Sequence, residues 1–169
     1  MKVDAIVYTS KNGHTKEYAE ILSKKINVPV YSLNEAKLKL NKNSKIIYMG
    51  WIRANKVIGY KEAWKKFSVY LVIGCGLSDT GDKIGDVRNR TNINSSVHLF
   101  TVQGGIQLSS LKGADKILIK MLINGLSNSK NRTSQDDRTL FLLTNEINNV
   151  KEDNLKDIMD YIDAGGFKE

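Results

Sequence analysis

Cysteine and proline are almost absent from this chain, which has one of each, Cys75 and Pro29, in 169 residues. A lone cysteine closes no intramolecular disulfide and builds no multi-cysteine metal site. Secreted disulfide scaffolds and zinc fingers are therefore excluded, and a cytoplasmic setting is expected. Proline-rich linkers, internal repeats and low-complexity tracts are missing too, so nothing divides the chain. No stretch approaches the ~20 apolar residues of a spanning helix. Residues 1–8 carry Lys2 and Asp4 within their apolar run, so no export signal of ~7 to 15 apolar residues is expected there.

Acid is outnumbered by base up to residue 138. Residues 1–66 hold 14 basic and 5 acidic groups, 67–138 hold 9 and 6, and 139–169 hold 3 and 7, for a formal net charge of +8. Such a balance suits an anionic ligand, an anionic membrane surface or a nucleic acid. Aromatics are few, at 8%, and show no interleaving with the basic residues, which leaves nucleic acid the weakest of the three.

With 41% hydrophobic and 26% charged residues, the chain is expected to fold as one globular domain over 1–169. Short apolar runs at 5–8, 28–31, 46–49, 69–73 and 97–102 have the length of strands. Between them the apolar period approaches 3.6, most clearly at Thr15, Ala19, Leu22 and Ile26, which share one helical face. A last helix is predicted around Leu155, Ile158, Met159 and Ile162, with Asp153 and Asn154 as caps and Gly165 and Gly166 as its stop. Alternating strands and helices imply an α/β fold with a mostly parallel sheet covered on both faces. Residues 139–143 read as a sixth strand or the second half of a split fifth, and the polar stretch 127–137 as a mobile insertion.

Thr9, Ser10, Lys11, Asn12, Gly13, His14 and Thr15 follow the first strand and open the first helix. Hydroxyls, a glycine that permits a tight path and the free amides of a helix start are what a phosphate dianion requires. An ordinary hydroxyl-capped helix start is the plainer alternative. Neither Gly-x-Gly-x-x-Gly nor Gly-x-x-x-x-Gly-Lys-Ser/Thr occurs, which demotes dinucleotide folds and P-loop NTPases. Two further loops, beginning Gly50-Trp51-Ile52-Arg53 and Gly74-Cys75-Gly76, lie at the carboxyl ends of the third and fourth strands. In a doubly wound sheet these loops converge on one crevice.

On Ser10, Asn12, Gly13, His14 and Thr15, and on Gly74, Cys75 and Gly76, the sequence resembles the flavodoxin family. The resemblance implies a three-layer doubly wound sheet of five parallel strands in the order 2-1-3-4-5, with an insertion after or within the fifth. It also implies FMN, its phosphate in the first loop and its ring between the other two, and a redox partner. Residues 100–105, 111–116 and 119–122 look like the branch containing menaquinone-dependent protoporphyrinogen oxidases, which implies an oxidoreductase acting on a porphyrin or quinone substrate. A simple electron-transfer flavodoxin is the rival, and a non-redox phosphate or nucleic-acid binding module the distant one. The chain departs from electron-carrier flavodoxins in being basic and in having no aromatic residue between Gly76 and Ser96.

Trp51 is the ring-stacking candidate, against simple loop packing. His14 reads as a helix-start residue within reach of a phosphate, and His98 as structural. Cys75 reads as a small core residue at a strand end. Asp79, Asp82 and Asp86 are explained better as turn formers than as metal ligands. The stretch 108–126, from Leu108 to Leu126, combines Lys112, Lys116 and Lys120 with a wide apolar surface. It reads either as a helix on a membrane interface, giving peripheral membrane contact, or as one tucked against the sheet with its lysines in water.

Overall fold

The computed structural model describes residues 3–146 and 148–166, so Met1 and Lys2 lie outside it. Five parallel strands form its centre: β1 (Ala5–Thr9), β2 (Val30–Ser32), β3 (Lys45–Arg53), β5 (Ser68–Gly76) and β6 (His98–Gln103). They are ordered β2-β1-β3-β5-β6, with a short β4 (Lys56–Val57) antiparallel to β3. Leaving β4 aside, this is the expected 2-1-3-4-5 order. The central strands read as unbroken apolar runs because both their faces are covered.

Successive side chains of a strand enter different layers. Ile6, Ile47, Met49, Leu71 and Ile73 pack with Tyr18, Ala19 and Leu22 of α1 (His14–Ile26) and Ile158 of α7 (Lys156–Asp163). Val7, Ile46, Tyr48, Val69 and Val72 face α2 (Leu33–Lys39), α3 (Tyr60–Lys66) and α4 (Ile84–Thr91). The β3–β5 register shifts between Ile46 and Ile47, which pair with Val69 and Leu71. The extra residue is Tyr70, and Tyr70 and Leu71 both face the α1 side.

The α1 face is the expected one, with Thr15, Ala19 and Leu22 buried and Tyr18 added. Its start differs from a hydroxyl cap. Gly13, at φ 92, is the N-cap and no side chain caps it. At the other end of the chain, Asp153 and Asn154 lie in a 3-10 turn, Glu152–Leu155, and Leu155 precedes α7 without a side-chain cap. Asn154 instead donates to the Tyr18 hydroxyl at 2.6 Å. Gly165, at φ 82, follows the helix end as expected.

After β6 comes the insertion. Residues 139–143, expected as strand, lie inside α6 (Ser134–Asn145). A capping box decides this: Thr133 accepts from Asp136 N while the Asp136 carboxylate accepts from Thr133 N, fixing the helix start. The same box and an Arg132–Asp137 ion pair at 2.9 Å order much of 127–137. The stretch 108–126 is broken. Leu108–Ser110 forms a 3-10 turn, Leu111 and Lys112 are extended, and α5 (Gly113–Asn128) follows. Lys116 and Lys120 lie on that helix, and Lys112 lies just before it. The insertion stands on a neck in which Asn149 N donates to Gly104 O at 3.0 Å.

The β3–β4 hairpin closes through Ala54 and Asn55, at φ 48 and 60. Two-residue turns of this kind favour asparagine or glycine at both positions. A non-glycine residue held there costs about 1–2 kcal/mol. Ala54→Gly is expected to raise stability by about 0.5–1 kcal/mol, part of the relieved strain being offset by glycine's greater unfolded-state entropy. Denaturant titration checks this, and a less stable variant would show that the tip is unstrained.

Candidate functional site

At the carboxyl ends of β1, β3 and β5 the sheet opens into a cleft of about 400 Å³. Ser10, Lys11, Asn12, His14 and Thr15 of the first loop line it, as do Trp51, Ile52 and Arg53 of β3 and Cys75 and Gly76 of β5. Three predicted residues lie elsewhere. Thr9 points beneath the loop, where its hydroxyl donates to Ile58 O at 2.7 Å and lies 3.0 Å from the Tyr48 hydroxyl. Gly13 faces two flanking hollows. Gly74 supports from below, because a Cβ there would come within 2.8 Å of Ile52 Cδ1.

The first loop is shaped by its own groups. Gly13 N donates to Ser10 Oγ at 3.1 Å, and the amides opening α1 lie beside the cleft. Burial holds His14 below the ordinary histidine range against the opposing pull of Glu17, which favours a neutral imidazole. Thr15 is almost wholly buried. Burial pushes the Cys75 thiol from its ordinary 9.0 up to about 12, with a hydrogen bond from Thr15 pulling the other way.

Several cleft residues carry no local sequence signal. Leu118, Ile119 and Leu122 of α5, with Ile106 and Leu111, make an apolar wall that β6 and the sheet do not supply. Asp115 of α5 ion-pairs with Lys11 and, at 2.7 Å, with Arg53 Nη2. Lys11 Nζ lies 5.3 Å from the centre of the Trp51 ring, a cation–π distance. Asp79 accepts from Gln103 Nε2 at 3.0 Å and from Arg138 at 2.8 Å, fastening the loop after β5 to β6 and α6. His98, at the amino end of β6, lies edge-on to Tyr161 at 4.3 Å and does not line the cleft. The cleft thus offers hydroxyls and amides at one end and a flat indole with aliphatic walls along its length. A ligand with an anionic tail and a planar apolar body matches it.

Burial leaves the Cys75 thiol with far less thiolate at neutral pH than a free cysteine, and its reaction with thiol reagents should be slowed until guanidinium unfolds the chain. Its folded value lies above the unfolded one, so its contribution to stability is full below about pH 9 and is lost as pH rises toward about 12. Rapid labelling of native protein at neutral pH would contradict this account.

A family model described as a flavodoxin domain matches residues 5–133, from β1 through α5. Among curated proteins and solved structures, none matches the chain. The matched span contains every loop of the cleft, and with the parallel strand order it shows that the chain belongs to the flavodoxin domain family.

Proposed function

We propose that the chain binds FMN in this cleft and serves as an FMN-dependent redox protein. One observation carries the reading: a hydroxyl-rich strand-to-helix loop, the Trp51 indole and the glycine-bearing end of β5 meet in a single cleft of about 400 Å³. The residues fit the group. Ser10, Asn12 and Thr15, with the amides opening α1, would hold the phosphate, gaining charge-assisted hydrogen bonds and the positive end of the helix dipole. Trp51 and the aliphatic wall of α5 would enclose the ring and exclude water. When bound, FMN supplies transfer of one or two electrons at its ring, so no acid–base dyad or nucleophile is required.

Within this class we favour an oxidoreductase over a simple electron carrier. Support comes from the α5–α6 insertion, which walls the cleft from outside the sheet, and from the similarity of residues 100–105, 111–116 and 119–122 to the protoporphyrinogen oxidase branch. Porphyrin and quinone are the substrate classes that similarity suggests. Reduced protein that passes electrons to a soluble quinone faster than to a one-electron protein carrier supports the reading, and the reverse order favours the carrier.

Purified protein should show flavin absorbance, or acquire it with added FMN. Colourless protein that refuses FMN would sink the proposal. Thr15→Ala removes one charge-assisted bond and should weaken FMN by about 1.5–3 kcal/mol while leaving riboflavin affinity unchanged. Fluorescence titration with both flavins checks this, and equal losses for the two would place Thr15 away from the phosphate.

The outer face of α5 is the candidate for peripheral membrane contact. Among the described residues none of α5 is buried. Ile117 and Met121 are 62% and 66% exposed, with Phe141 of α6 at 55%. Lys112, Lys116 and Lys120 flank them. An interfacial helix is built this way, and each lysine near an anionic surface contributes about 1 kcal/mol. No described helix is long and apolar enough to cross a membrane. The protein is expected to co-sediment with anionic vesicles in a salt-sensitive manner, and a variant with glutamate at 112, 116 and 120 to remain in the supernatant. Wild-type protein that also remains there would remove the membrane from the partners.

A further inference from the structure

We propose that Asp115 is a latch that holds the α5–α6 flap shut across the cleft and thereby sets the rate at which a ligand leaves it. Asp115 lies in the first turn of α5 and divides its carboxylate between two elements. Oδ2 pairs with Lys11 Nζ, from the loop after β1, and Oδ1 lies 2.7 Å from Arg53 Nη2, at the end of β3. These are the two lips of the cleft, so one side chain bridges its mouth. Only 21% of the Asp115 side chain remains exposed.

The rest of the flap is built to move as a unit. Its apolar contacts form a separate small cluster around Ile106, Leu111 and Leu143, apart from the two faces of the sheet. Among the described residues, no α5 side chain is fully buried; Ile119, Ile123 and Leu126 are partly buried against that cluster, so the helix packs within the flap and not onto the two cores of the sheet. A joint lies just before it: Lys112 is extended, and Gly113 sits at φ 56 with open space where a side chain would be. At the far side the flap is tied by Arg138 to Asp79 at 2.8 Å. Releasing Asp115 would leave α5 held there and at the neck, free to swing its Leu118 and Leu122 wall away from the cleft.

The latch retains a ligand and does not compete with one. With both ion pairs made, the cleft still measures about 400 Å³, so the carboxylate spans the mouth without filling it. Lys11 and Arg53 are both engaged in that closed state. Partly exposed pairs are weakened by salt, and two of them sharing one carboxylate correspond to roughly a five- to twentyfold effect on opening.

The choice of FMN as the ligand rests on the function proposed above; the latch itself does not. Asp115→Asn keeps the shape and removes the charge. In FMN-loaded protein it should speed flavin release roughly five- to twentyfold, read as recovery of flavin fluorescence after dilution. Raising ionic strength should speed release from the wild type and leave the variant nearly unchanged. In ligand-free protein the same substitution should increase amide exchange across 113–128. Arg53→Gln should do so as well, and the two together should give less than the product of the separate effects. If FMN does not bind, the functional reading fails and amide exchange alone decides the latch. Unchanged exchange over 113–128 in Asp115→Asn would overturn the latch, as would unchanged release from the loaded variant.

Discussion

Tyr18 buries its whole side chain on the inner face of α1, and a buried hydroxyl left unpaired costs about 1–3 kcal/mol. Its partners come from the far end of the chain. The hydroxyl donates to Gln103 O at 2.5 Å and accepts from Asn154 Nδ2 at 2.6 Å, while Asn154 also donates to Asn149 O at 3.0 Å. Burial pushes the phenol's pKa upward, so it stays a protonated donor. One hydroxyl therefore gathers the end of β6, the segment returning from the flap and the turn before α7. Since both ends of the insertion meet there, the insertion can stand off the sheet and still form a wall of the cleft.

Charge is likewise settled between distant parts. The surplus of lysine and arginine in the first 66 residues suggests a broadly cationic surface, yet Lys11 and Arg53 share Asp115, Lys37 pairs with Glu62 at 2.5 Å, and Lys25 pairs with Glu152 at 2.7 Å. Of these pairs, Lys25–Glu152 is the one that joins the basic first segment to the acidic segment 139–169. Lys25 holds the Glu152 carboxyl below the ordinary carboxylate range. At the cleft and its flap, Lys83 and the lysines before and along α5 add further positive charge that an anionic partner could meet.

The sheet was legible because its strands are buried on both faces and so appear as unbroken apolar runs such as Ile46 to Met49. The α1 face was legible from the spacing of Thr15, Ala19 and Leu22. The β4 hairpin was hidden because Ala54-Asn55 lacks the glycine that announces such turns. Phe141, Leu142 and Leu143 form a run short enough for a strand, and only the capping box at Thr133 and Asp136 separates the two outcomes. In the cleft, the loops after β1, β3 and β5 carried sequence signatures and their residues came together, apart from Thr9, Gly13 and Gly74. Asp115 carried none. Its role comes from meeting Lys11 and Arg53 across the fold, a pairing no local pattern encodes.

The unpaired residue in β5 has a reach beyond its own position. Side chains alternate between the two layers, so a single extra residue inverts the parity of everything after it. Beyond the slip at Tyr70, Leu71, Ile73 and Cys75 fall on the α1 side, while Val72 falls on the other and a side chain on Gly74 would meet Ile52. Without the slip the two sets would trade places. The thiol would leave Thr15 and crowd Ile52, where only a glycine fits, and the bare backbone would face α1. An irregularity near the beginning of the strand is thus what brings the correct side of its last three residues to the cleft at its end.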